Sequence, residues 1–296
     1  MHRSARRLIQ GIIVLSASLS GRADAQVGYS LSYAPRGPAR VHTIMRSDIL
    51  MTVTHDPGPP EPLSVEATRL EGMTQFFDSE ASGRYLVELH YDSLRARLRP
   101  IGGTWRDLEA AEGDLGVVRA VVSGKLDVIE AEFVNKPHLQ EPKAHMARAL
   151  GGGHVLTLPE EPQEVGDSWI TDLSYPLNAF AEVGRDDGTP DRGELRSQAV
   201  AMLDSVVNRS TDTLYYITVR GKFIPAGFTS SVGGDVVSVS GGGSLAAMMV
   251  WSSAWSAFVS GATRAVIMMD VRSDSADERV VTHIRLDVTT RSQVRM

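Results

Sequence analysis

The chain has 296 residues, 42% of them hydrophobic and 22% charged, with a formal net charge of −6 and no cysteine. That is enough apolar material for a sizeable core. The acidic balance carries no electrostatic footprint for nucleic acid or an anionic membrane surface, and the lack of cysteine excludes disulfides, cysteine-held zinc and lipid attachment at a cleavage-site cysteine.

The N-terminus reads as an export signal. Arg3, Arg6 and Arg7 form a basic region, Leu8 to Leu19 an apolar one, and Ala23-Asp24-Ala25 a cleavage site that leaves Gln26 as the new terminus. Residues 1–25 are therefore expected to be a signal peptide, with the rest of the chain periplasmic or extracellular in a bacterium. The apolar stretch is too short to span a bilayer, and no later segment reaches that length, so the chain is not expected to cross a membrane on a helix. Long polar loops and a 6% aromatic content also argue against an outer-membrane barrel.

An N-terminal β half is expected over residues 26–135. Val41, Met45, Ile49, Met51 and Val53 share one face of an alternating stretch, and Tyr85, Val87, Leu89 and Tyr91 share another. Pro57–Pro62, "PGPPEP", is a loop, because proline cannot donate to a ladder. Residues 136–162 read as a helix and a Pro/Gly-rich connection. The helix body is His138–Leu150, with Asn135 as its cap, Pro137 in its first turn and Gly151 past its end. A C-terminal β half follows over 163–296. Its stripes are Tyr215, Ile217, Val219, Phe223; Ala265, Ile267, Met269, Val271; and Val280, Thr282, Ile284, Leu286, Val288. Turns are expected at Asn208–Asp212, Ser260–Ala262 and Ser273–Asp277. Short polar loops between strands imply antiparallel pairing. The fold class that results is mainly β: large antiparallel sheets, curved or half-barrel-like, of ten to twelve strands, with one central helix.

Candidate chemistry is thin. Gly166-Asp167-Ser168-Trp169 has the Gly-Asp-Ser order of one class of serine esterases. Those enzymes place the block after an apolar strand and add oxyanion donors and an Asp-x-x-His pair. Here Glu160–Val165 precedes it, no Gly-x-Asn-Asp occurs, and Val280 stands three before His283. Ser168 thus has no nameable base, and a turn leading into a strand is the expected reading. If Gly188 is the sixth position of a calcium loop, Asp187, Asp191 and Glu194 fall at ligand positions. Val183 and Arg185 then occupy the first and third, so an acidic solvated loop is the reading preferred over a metal site. His138, His145 and His154 lack zinc-site spacing. The glycine clusters, Gly241–Gly243 among them, lack the order of a phosphate loop and read as turns, bulges or close strand crossings. No cofactor is expected. The remaining feature is apolar: Met248, Trp251, Trp255, Met268 and Met269 lie in strands hydrophobic in places on both faces, as core or as the lining of an apolar site.

The block Leu156–Trp169, "LTLPEEPQEVGDSW", resembles one in exported bacterial β proteins of the family labelled DUF6263, in which a Leu-Pro segment leads to Val-Gly-Asp-Ser-Trp and a strand. That resemblance implies an exported β protein and transfers no catalytic residue. Sheets curved around an apolar groove, as in lipoprotein carriers of the LolA kind, are similar in architecture only. The expected function is a non-enzymatic exported protein binding an apolar or lipid-like ligand at Met248, Trp251, Trp255, Met268 and Met269. The alternative is a structural or interaction module of the cell envelope, with a serine hydrolase at Ser168 ranked last.

Overall fold

The computed structural model describes residues 28–35, 39–56, 58, 63–79, 83–100, 102–110, 116–135, 142–150, 156–176, 194–232, 235–274 and 279–295. The expected signal peptide lies outside these residues. The strands are β1 (Ala39–Asp56), β2 (Leu63–Ser79), β3 (Arg84–Arg99), β4 (Arg106–Ala110), β5 (Val117–Ser123), β6 (Val128–Phe133), β7 (Ser168–Pro176), β8 (Glu194–Asn208), β9 (Thr213–Val232), β10 (Asp235–Ser252), β11 (Ala257–Asp274) and β12 (Arg279–Arg295). The helix α1 spans Pro142–Leu150.

All twelve strands form one antiparallel sheet in the order β6-β5-β3-β2-β1-β12-β11-β10-β9-β8-β7, with β4 added to β3. Each half of the chain is a meander. The two meanders join where β1 pairs with β12 from His42↔Arg295 to Asp56↔Val281. The expected halves therefore share one sheet.

The sheet curls strongly without closing into a barrel. Strands lie about 4.8 Å apart, so β5 and β7 would stand roughly 40 Å apart if the sheet were flat. Yet neighbouring residues of one segment bond to both ends. The Leu158 N–H donates to the Lys125 carbonyl after β5, and the Thr157 carbonyl accepts the Trp169 Nε1–H of β7 at 2.9 Å. A second segment crosses the same gap. Tyr29 packs edge-on against Tyr215 of β9, and Tyr33 against Phe77 of β2 and Tyr85 of β3. Residues 28–35 and 156–164, linked by the Tyr29–Gln163 bridge, thus strap one end of the trough.

The five alternating stripes expected from the sequence all point into this trough, where Val41, Met45, Val87, Leu89, Tyr215, Ile217, Ala265, Ile267, Leu286 and Val288 are buried. The helix α1 lies inside it at the strapped end. Tyr91 and His145 share a hydrogen bond of 2.8 Å, and Gln75 Nε2–H donates to the Ala149 carbonyl. Met146, Ala149 and Leu150 are buried there.

The described helix begins at Pro142, whose missing N–H suits a first helical position. Asn135 Oδ1 accepts the Val117 N–H at 2.8 Å, and the expected start of the helix at Pro137 and His138 falls in residues 136–141, which lie outside the described ones. One expectation is corrected. Ser260-Gly261-Ala262 is no turn but part of β11. The turn is Ser253–Ser256, where Asp212 accepts from the Ser252 and Ser253 hydroxyls and the Ala254 N–H. The Gly241–Gly243 cluster is a bulge between β10 and β9, as expected. A Cβ on Gly243 would stand 2.1 Å from the Val266 carbonyl oxygen, a spacing only glycine tolerates.

Candidate functional site: the inner face of the trough

Antiparallel register arranges the inner side chains in rows across the strands, and the rows change character along the trough. At the strapped end one row is Val41, Gln75, Leu89 and Val118, covered by α1. Farther along come two rows with polar members. The first is Gly261–Ser292–Met45–Glu71 and the second Thr263–Thr290–Ser47–Arg69. Beyond this polar band the rows turn apolar again: Ala265–Val288–Ile49–Ala67–Leu98, then Ile267–Leu286–Met51–Val65, then Met269–Ile284–Val53–Leu63.

In these distal rows Ile267, Leu286 and Val288 are buried, while Ile49, Met51, Val53, Val65, Ala67, Leu98 and Ile284 are only half-buried. The long strands cause this. Those from β8 to β12 and from β1 to β3 run 15 to 20 residues, against a usual length of about five or six, and so outreach the strap and α1.

The polar band is charged on one side. Arg69 pairs with Glu71, which is 1% exposed. The Ser47 and Thr290 hydroxyls bond at 3.0 Å. Two buried polar atoms of the band, Arg69 Nε and Ser292 Oγ, have no hydrogen-bond partner among the described residues. A buried polar atom is normally satisfied, so these stand out.

The five residues expected to form an apolar site do not lie together. Trp251 is 1% exposed and packs edge-on against Phe258 at the strapped end. Met269 is buried in the last apolar row named above. Met248 and Met268 are 66% and 56% exposed on the outer face. Trp255 lies in the β10–β11 turn, beside a shallow depression of about 250 Å³ lined also by Arg40, Val41, His42, Val294 and Arg295. Period two places adjacent strand residues on opposite faces, which is why Met248 and Met249, or Met268 and Met269, cannot share a site. The half-buried row members on β1 to β3 were visible in the sequence only where alternation was clean, as along β1. On β2 the inner face reads Val65, Ala67, Arg69, Glu71, Met73, Gln75, Phe77, and the mixed chemistry hides the stripe.

Gly166-Asp167-Ser168 is a turn into a strand. Gly166 has φ +98°, and Asp167 Oδ2 accepts the Glu164 N–H at 2.8 Å. Ser168 starts β7, is exposed, and has no histidine hydrogen-bonded to it among the described residues. Trp169 is half-buried against the core. Asp187 and Asp191 lie outside the described residues, as does the side chain of Glu194 at the start of β8. Among the described residues no three His, Asp or Glu side chains group so as to hold a metal ion, and no helix is long and apolar enough to cross a membrane.

The outer face carries charge instead. His42 Nδ1 lies 2.9 Å from Asp92, whose carboxylate also accepts the buried Thr74 hydroxyl at 2.6 Å. Both contacts fall on one carboxylate oxygen and one imidazole nitrogen, so His42 cannot relay a proton from Thr74 to Asp92. Glu88 accepts two bonds from Arg119, at 2.7 and 2.9 Å, which hold its carboxyl below the ordinary glutamate range, with His90 adding to the effect and burial opposing it. No protein-family model matches the chain, and no curated protein matches it either.

Proposed function

We propose that the protein is an exported, non-enzymatic binder of an apolar or amphipathic ligand, seated on the distal inner face of the trough. The observation that carries this reading is the row set Ile49–Ala67–Leu98, Met51–Val65 and Val53 with Ile284, apolar, contiguous and half-buried beyond the polar band. Apolar surface of this kind gains roughly 25 cal/mol per Å² when covered, and a curved sheet offers a chain-shaped ligand a long line of contact. The resemblance to exported DUF6263 proteins and the N-terminal signal pattern agree with an envelope location.

Protein purified from its native compartment is expected to release lipid on organic extraction, visible by mass spectrometry, and delipidated protein to change its tryptophan emission on adding a fatty acyl probe. Clean protein with no spectral response contradicts the reading. A fluorophosphonate probe is expected to leave Ser168 unlabelled; labelling would reinstate the hydrolase.

One observation favours a second reading, an envelope interaction module. Ile170, Val200 and Met202 are exposed together on the outer face of β7 and β8, an apolar patch of the kind that meets a protein partner. Envelope cross-linking through a residue placed at Val200 tests it; a strictly partnerless protein speaks against it.

A further inference from the structure

We infer that the polar band selects the ligand's head group, and that this head is a neutral, hydrogen-bond-accepting acyl ester or amide rather than a carboxylate. The inference rests on the proposed trough-binding reading and deepens it. Three facts combine. The band separates two apolar zones of one inner face, and at the far end of the distal rows His55 and Thr282 already bond to each other at 3.0 Å, so among the described residues only the band end offers an amphiphile unpartnered polar atoms. Along β2 the six residue steps from Arg69 to Leu63 span roughly 20 Å, the scale of an acyl chain. The band's unpartnered atoms include a donor that can never accept, Arg69 Nε, and the adaptable Ser292 hydroxyl.

Charge decides between acceptors. The guanidinium is already balanced by Glu71, 1% exposed beside it. A ligand carboxylate would place a second negative charge beside the buried Glu71 carboxylate, with no second cation among the inner residues of these rows. An uncompensated buried charge is costly, whereas an ester or amide carbonyl satisfies the free donor without adding charge. Ser47 and Thr290 already bond to each other, so the free donor edge points to one carbonyl, as in a monoacylglycerol or an N-acyl chain.

The test uses the full protein and three probes with the same twelve-carbon chain: monolaurin, laurate at pH 8, and dodecane. Each displaces N-phenylnaphthylamine in a fluorescence titration. Monolaurin is expected to compete about tenfold better or more than either other probe, the scale of one hydrogen bond from a charged donor. In a variant carrying Arg69→Met with Glu71→Gln, which removes both charges together, the preference of monolaurin over dodecane should fall toward one. Laurate competing as well as monolaurin, or monolaurin no better than dodecane, overturns the head-group inference and leaves the apolar reading intact. No displacement by any probe removes the proposed function and this inference together. Should the variant fail to fold, the wild-type comparison alone decides.

Discussion

Arg69 and Glu71 show how much a single inner-face position can conceal. Both sit where alternation would put apolar residues, and in the sequence they merely blur a strand. Folded, the half-buried Arg69 pairs with a fully buried Glu71 between apolar rows, and taking that carboxylate out of water is costly for stability alone. Other residues yield direct tests. The Tyr33 hydroxyl is buried without a hydrogen-bond partner among the described residues, and burial, aided by Tyr85, pushes its pKa well up. Tyr33→Phe is therefore expected to be neutral or to stabilise by up to about 1 kcal/mol in urea unfolding, while Tyr33→Ala costs roughly 3–5 kcal/mol by opening a cavity. Glu88 is held below its ordinary range by Arg119, so its contribution is present above the unfolded glutamate pKa and is lost as pH falls through the lowered folded value. The stability gap between wild type and Glu88→Gln should accordingly shrink on acidification; a gap constant from pH 6 to pH 3 would contradict the pairing. Mild peroxide should oxidise Met248 and Met268 well before the buried Met249 and Met269, which peptide mass mapping reads directly.

Among the elements, those with strict period two were legible before folding. β1, β3, β9, β11 and β12 each announced an apolar stripe, and all five stripes face the trough. β2 was not legible, because its inner face mixes arginine, glutamate and glutamine with valine and phenylalanine. The β10–β11 connection was misplaced for the opposite reason. Ser260-Gly261-Ala262 has turn composition, yet Gly261 sits within β11 where a Cβ would stand 2.9 Å from Ser292 Oγ. The true turn contains Trp255 and is held by Asp212, a long-range partner that local sequence does not reveal. β10 depends on glycine in the same way. Gly243→Val should destabilise by about 1–3 kcal/mol through backbone displacement, seen as a lower urea midpoint. An unchanged midpoint would mean that β10 and β11 do not approach as closely as the structure has them.

For the whole molecule, the two meanders were foreseeable but their union was not. β1 and β12 meet across almost the full chain, and nothing local encodes that register except the matching of inner-face rows. A curved or half-barrel-like sheet was expected, but what holds the curl was hidden, since segments 28–35 and 156–164 bind residues on both sides of the sheet. Once the trough exists, its zones follow: a filled strapped end, a polar band, and a distal apolar face on β1 to β3 and β12. The candidate site belongs to this scale alone. It is assembled from strands far apart in sequence; its β1, β11 and β12 members fell within stripes read beforehand, while Val65 and Ala67 of β2 and Leu98 of β3 did not. The most direct measurement is photo-crosslinking with an acyl probe carrying a diazirine along its chain, followed by peptide mapping. Trough binding predicts adducts at Ile49, Met51, Val65 and Leu98. Adducts confined to the outer-face residues Ile170, Val200, Met248 and Met268, or none that unlabelled lipid displaces, would contradict it.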